Sequence, residues 1–171
     1  MAHAIILMGV SGCGKTSVGI GLSEILGWPF YDGDDYHPQA NIDKMAQGFP
    51  LNDNDRQPWL EKLHQLILEH LNANRSLIVA SSALKTTYRL TLRGDRKDVL
   101  FIYLKGTFDL VYERMQDRSE HYMKAEMLQS QYNDLEEPKE AIIISIDSPV
   151  DQIVKEIIGN LIREEILIDR E

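Results

Sequence analysis

Cysteine is almost absent from this sequence: Cys13 stands alone among 171 residues. No disulfide can close within the chain, so a reducing, cytoplasmic setting is the simpler expectation. Basic residues are also in short supply, 18 Lys+Arg against 27 Asp+Glu, a net charge of -9. A general binder of nucleic acid or of an anionic membrane needs the opposite excess, and neither partner is expected. The deficit is local. Residues 134–171 carry 11 acidic and 4 basic side chains, whereas residues 1–133 carry 16 and 14 and could hold an anion. No apolar run approaches the roughly 18 residues of a membrane span, and Met1–Met8 has no basic region of a signal peptide. Internal repeats, low-complexity tracts and Pro/Gly/Ser linkers are lacking as well. With 43% hydrophobic residues, a single domain over 1–171 with a proper core is expected.

Short apolar runs of β type alternate with longer helical patterns, which points to a parallel sheet covered on both faces. The runs are Ala4–Met8, Trp28–Tyr31, Leu77–Ala80, Val99–Leu104 and Ile142–Ile146. Helices are expected near 15–26, 38–46, 56–72, 85–93, 108–117 and 125–133. A last one carries Val150, Ile153, Val154, Ile157, Ile158, Leu161 and Ile162 on one stripe. Ser148 is the expected N-cap of that helix, with Pro149 at its first position. The fold class is therefore α/β, a five-stranded, three-layer α/β/α domain.

The most informative segment follows the first strand. Gly9, Val10, Ser11, Gly12, Cys13, Gly14, Lys15 and Thr16 spell G-x-x-x-x-G-K-[ST], the P-loop, and Ser17 continues into a helical pattern. Glycines let the backbone turn its N–H groups inward onto phosphate oxygens, and the helix N-terminus adds partial positive charge. Lys15 is placed to reach the β/γ-phosphates and Thr16 to ligate Mg²⁺. A nucleoside triphosphate binder is expected. Cys13 is read as a small residue standing where serine would serve.

Many P-loop proteins carry a magnesium-binding acid after a later core strand, but Leu77–Ala80 runs into Ser81 and Ser82. The carboxylates lie instead in Tyr31-Asp32-Gly33-Asp34-Asp35, after the second strand, where a sheet of this kind opens onto its ligand crevice. Alternation about Gly33 would point Asp32 and Asp34 the same way. One would order Mg²⁺ through its waters and the other accept a proton from an attacking hydroxyl. Arg114, Arg118 and Lys124, with His121 between, suit a mobile lid over about 114–126. The small size fits a small-molecule kinase better than a motor or transport NTPase.

At this point the residues support a resemblance. The segment from Asp32 through His37 and Asn52-Asp53-Asn54-Asp55-Arg56 to Leu60 closely resembles the gluconokinase family, small P-loop kinases related in fold to shikimate kinases. Ser82-Ala-Leu-Lys85-Thr-Thr-Tyr88-Arg89, Phe101–Gly106, His121-Tyr-Met123, Leu128–Gln131 and Leu135–Pro138 are similar to the same family and occur in its order. The resemblance implies strand order 2-3-1-4-5, ATP and Mg²⁺ as cofactors, a homodimer, and transfer of the γ-phosphate to the 6-hydroxyl of D-gluconate. A polyol acid needs cations and polar groups, and His37, Arg56, Lys85, Arg89 and Arg93 are the supply. The resemblance also implies Asp34 as base or hydroxyl-orienting group and Asp32 in the magnesium shell, two roles that could be exchanged. Lys15, Asp34 and Arg118 form the catalytic set, with Arg114 and Arg118 on ATP. His121 closes the lid and counts among the substrate-binding groups. Trp59 is expected to pack beneath the loop. The chain departs from the family at Ser81, Thr86 and Glu120, which leaves the sugar acid and the efficiency of closure open. The alternatives are a same-fold kinase for another small hydroxy acid, such as idonate or a shikimate-like acceptor, and a non-catalytic ATP-binding module.

Overall fold

The computed structural model describes residues 1–117 and 125–167. Its elements run β1 (Ala4–Met8), α1 (Lys15–Leu26), β2 (Phe30–Asp32), a 3-10 turn (Gly33–Tyr36), α2 (Gln39–Ala46) and α3 (Asp53–Asn72). They continue as β3 (Leu77–Ala80), α4 (Thr86–Arg93), β4 (Val99–Lys105), α5 (Phe108–Gln116), α6 (Ala125–Asp134), β5 (Ile142–Ser145) and α7 (Val150–Arg163).

All five strands are parallel, in the order β2-β3-β1-β4-β5, as the resemblance implies. β1 and β3 are buried along their whole length, which explains their unbroken apolar runs: a central strand of a doubly covered sheet has no solvent face to mark. The pleat sends alternate residues to opposite faces. Ile5 and Leu7 join Val18 and Leu22 of α1, Val111 and Met115 of α5 and the α7 stripe in one core. Ile6 and Met8 join Trp59, Leu60, Leu63 and Ile67 of α3 and Tyr88 and Leu92 of α4 in the other. The five strand carboxyl ends then open on one edge, with the P-loop after the middle strand. No helix among the described residues is long and apolar enough to cross a membrane.

Apart from one-residue shifts at other element ends, three features differ from expectation. α3 starts at Asp53, three residues before the expected start at 56, because Asn52 and Asp55 close a reciprocal capping box with backbone bonds of 2.8 and 2.9 Å. β2 begins at Phe30, after Pro29, which has no N–H for a ladder and contributes only its carbonyl to Ile78. Ser148 does not cap α7. Pro149 holds that position in extended conformation, while the Ser148 hydroxyl donates to the Asp147 carbonyl at 2.8 Å.

Candidate active site

The phosphate loop has the curled backbone its glycines permit: φ is positive at Gly9, Gly12 and Gly14, which side chains with a Cβ rarely tolerate. Lys15, at the start of α1, folds over the loop and donates to the Gly9 and Val10 carbonyls at 2.8 and 3.0 Å. Its ammonium thus lies along the rim where phosphates would lie. Cys13 is buried in the core under the loop. Beside the loop a cavity of about 220 Å³ is bounded by Gly14, Ser17, Arg114 at the end of α5, and Ser148–Val150 before α7. Ser17 and Arg114 therefore stand beside the P-loop. The Ser148–Val150 wall is a contribution that sequence reasoning did not find.

β3 fixes the P-loop from one side. Ser81 donates its N–H to the Leu7 carbonyl at 3.0 Å, and Gly9 donates to the Ser82 carbonyl at 3.2 Å. On the other side of β3, Asp32 ends β2 and caps the 3-10 turn. Its Oδ1 accepts the Asp34 N–H at 3.0 Å and its Oδ2 accepts the Thr16 hydroxyl at 3.2 Å. Asp32 and Thr16 thus present adjacent hard oxygens, the donor type Mg²⁺ prefers. The turn corrects the expectation of strand-like alternation at 32–34. Asp34 is carried by a helical turn, and Gly33 is required because a Cβ there would overlap the Ala80 carbonyl oxygen. The Asp34 side chain is 81% exposed. Desolvation by the loops around it raises its carboxyl above the usual range, opposed by the Lys15 ammonium and reinforced by the Asp32 and Asp35 carboxylates.

Beneath the turn, the Trp59 indole donates to the Gly33 carbonyl at 2.7 Å. His37 stacks on Trp59 with ring centroids 4.2 Å apart, and its side chain is only 5% exposed. Burial, reinforced by the nearby Arg56 cation, pushes the His37 imidazole down to about 4. It is a neutral group, 3.8 Å from Asp34, rather than a cation for a carboxylate.

The cations gather one helical turn before Trp59. Lys85 Nζ donates to Asp53 Oδ1 at 3.0 Å, the Tyr88 hydroxyl donates to the same oxygen, and Arg56 donates to the Tyr88 hydroxyl at 2.8 Å. Asp134 of α6 lies 3.8 Å from Arg56. The bonds from Tyr88 and Lys85 lower the Asp53 carboxyl, and Asp53 in turn raises the Lys85 ammonium. Lys85 and Tyr88 therefore hold the Asp53 carboxylate, with Arg56 on the Tyr88 hydroxyl behind them, a cradle whose donors suit a carboxylate. Asp53 and Tyr88 were absent from the sequence-derived site; the i, i+3 spacing of Asp53 and Arg56 on α3 was the available signal.

Two arginines lie elsewhere. Arg89 is buried, with its fork on the Ala83 carbonyl at 2.7 Å and the Glu136 carbonyl at 2.8 Å, and burial lowers its pKa. Arg93 donates to the Val99 carbonyl and lies over the Phe101 ring at 5.1 Å. Both hold α4 to its surroundings. Arg118, His121, Glu120 and Lys124 fall outside the described residues, as does most of the 114–126 segment.

A P-loop on a five-stranded parallel sheet, a carboxylate turn beside its Lys and Thr, and a separate polar cradle define a P-loop kinase for small molecules. A family model described as Shikimate kinase matches residues 11–162. The chain is 40% identical over 182 aligned residues to the probable gluconokinase of Xenopus tropicalis, covering 96% of each. It is 41% identical over 156 residues to the thermoresistant gluconokinase of Escherichia coli, covering 89% of each. The crystal structure of a gluconokinase from Sinorhizobium meliloti 1021 matches with a TM-score of 0.88 at 37% identity, over 95% of this chain and 93% of that one. The chain belongs to the gluconokinase family, within the wider group that the shikimate kinase model describes.

Proposed function

We propose that the protein transfers the γ-phosphate of ATP to the 6-hydroxyl of D-gluconate, giving 6-phospho-D-gluconate and ADP. The observation that carries this reading is the pairing of the Lys15/Thr16/Asp32/Asp34 group with the Lys85–Tyr88–Arg56 cradle, which already holds a carboxylate, that of Asp53. A sugar acid offers such a cradle its own carboxylate and leaves its far hydroxyl for the phosphate loop.

In this reading residues 9–17 wrap the ATP phosphates, and Lys15 leaves the Gly9 and Val10 carbonyls to stabilise charge on the transferred group. Arg114 borders the nucleotide from α5. Thr16 and Asp32 would hold Mg²⁺, which when bound screens the phosphate charge. Asp34 orients the acceptor hydroxyl and receives its proton. His37 stays neutral and lines the acceptor side, and Arg56 and Lys85 bind the sugar acid. Arg118 and His121 complete the set as lid groups within a single domain. Arg89 serves by holding the Lys85 loop in place.

ADP release with Mg·ATP across D-gluconate, L-idonate, shikimate, glycerate, AMP and no acceptor tests the reading. Turnover is expected to be strongest with D-gluconate, with 6-phosphogluconate as product. Preference for another acceptor would overturn the substrate, and silence throughout with ATP still bound would overturn the enzyme.

A further inference from the structure

Gln131 lies on α6, 120 residues from the phosphate loop, yet its side chain meets the loop twice. Its Oε1 accepts the Ser11 backbone N–H at 2.7 Å, and its Nε2 donates to the Ser11 hydroxyl oxygen at 2.9 Å. The backbone N–H can only donate, so the amide orientation is fixed by its partner. The Ser11 hydroxyl, already accepting from Nε2, keeps its own hydrogen free for another acceptor. A phosphate oxygen at the loop is the acceptor its position suits.

The chain just after Gln131 is fastened to the acceptor side. Asp134 faces Arg56 at 3.8 Å. Glu136 donates its N–H to the Leu84 carbonyl at 2.8 Å and accepts the Thr86 N–H on Oε1 at 3.0 Å, on either side of Lys85. One short stretch, 131–136, thus spans from the phosphate loop to the carboxylate cradle. We propose that Gln131 is a positioning residue for phosphoryl transfer, setting the Ser11 corner of the phosphate loop at a fixed distance from the acceptor cradle and orienting the Ser11 hydroxyl as a donor. It rests on the kinase reading above. Misplacement of reacting groups by about 1 Å lowers a rate on the order of 100-fold without touching either substrate.

Gln131→Met keeps the volume and removes both bonds. It is expected to lower kcat roughly 10- to 100-fold while the Kd for ATP stays within about threefold. Ser11→Ala is expected to lower kcat alone, and by less than about twofold when added to Gln131→Met, because the two act as one unit. Tyr132→Phe removes a different α6 anchor, the bond to the Gly106 carbonyl at 2.7 Å, and serves as the structural control. A kcat within about twofold of the unaltered chain, or an equal loss in Tyr132→Phe, overturns the proposal. Amide hydrogen exchange at Ser11 needs no acceptor and is expected to accelerate in Gln131→Met; unchanged exchange overturns the proposal too. If the unaltered chain does not phosphorylate gluconate, the substrate reading fails, and the exchange and ATP-binding results decide this proposal by themselves.

Discussion

The Trp59 indole and the Gly33 carbonyl, joined at 2.7 Å in a buried site, make the turn that carries Asp34 a projection of helix α3. The turn has no strand partner beyond Asp32, so this bond and the His37 stack determine its height above the sheet. Trp59→Phe keeps most of the ring but leaves the Gly33 oxygen unpaired. Urea unfolding is expected to show a loss of about 1–3 kcal/mol, accompanied by a fall in kcat as Asp34 loses its support.

Lys15 and Asp34 separate by kinetic signature. Lys15→Ala is expected to abolish turnover. Asp34→Ala is expected to cut kcat on the order of 100- to 10,000-fold, the usual range for a general base, while ATP affinity changes little. Steady-state kinetics with ATP titration checks both, and full activity in Asp34→Ala would remove it from the mechanism.

Lys85 and Arg89 differ sharply although they stand one helical turn apart. Lys85→Met is expected to raise the KM for gluconate at least roughly tenfold, with the KM for ATP nearly unchanged. Arg89→Lys cannot span the Ala83 and Glu136 carbonyls, so its effect is expected in stability, about 1–3 kcal/mol. A purely kinetic effect of Arg89→Lys with an unchanged urea midpoint would return Arg89 to the substrate.

His37 makes stability depend on pH. Its folded-state value of about 4 lies below the ordinary 6.5, so the unfolded chain binds the proton more readily. The stabilisation is complete above pH 6.5 and is lost as pH falls from there toward 4, about 2 kcal/mol by pH 5. His37→Phe, which retains a ring against Trp59, is expected to flatten that part of the profile. Urea midpoints at pH 7.5 and 5.0 in both proteins measure the difference.

What could be read from sequence follows the range over which each contact acts. The P-loop, β1, β3 and the span of α1 follow from local pattern and match residue for residue. The start of α3 was placed three residues late because the apolar stripe from Leu60 does not mark where the first turn begins; the capping box at Asn52 and Asp55 was the better signal. The 3-10 turn at Gly33–Tyr36 was hidden because one short turn has no periodicity to detect. Arginines looked interchangeable as a supply of charge, yet Arg56 faces the cradle and Arg89 is spent on backbone carbonyls. Sequence spacing does not tell these apart, because Arg56 is directed by Tyr88 and Arg89 by Glu136, partners 32 and 47 residues away.

The sheet acts as a partition. The core under the nucleotide, built with α1, α5 and α7, and the core under the acceptor, built with α3 and α4, lie on opposite faces, joined by the strands and by Leu135, which packs against both. Repacking α3 and α4 can reshape the acceptor pocket while the ATP foundation stays intact. A lineage with this architecture can therefore exchange one acceptor for another by drift on a single face, retaining its phosphate donor throughout.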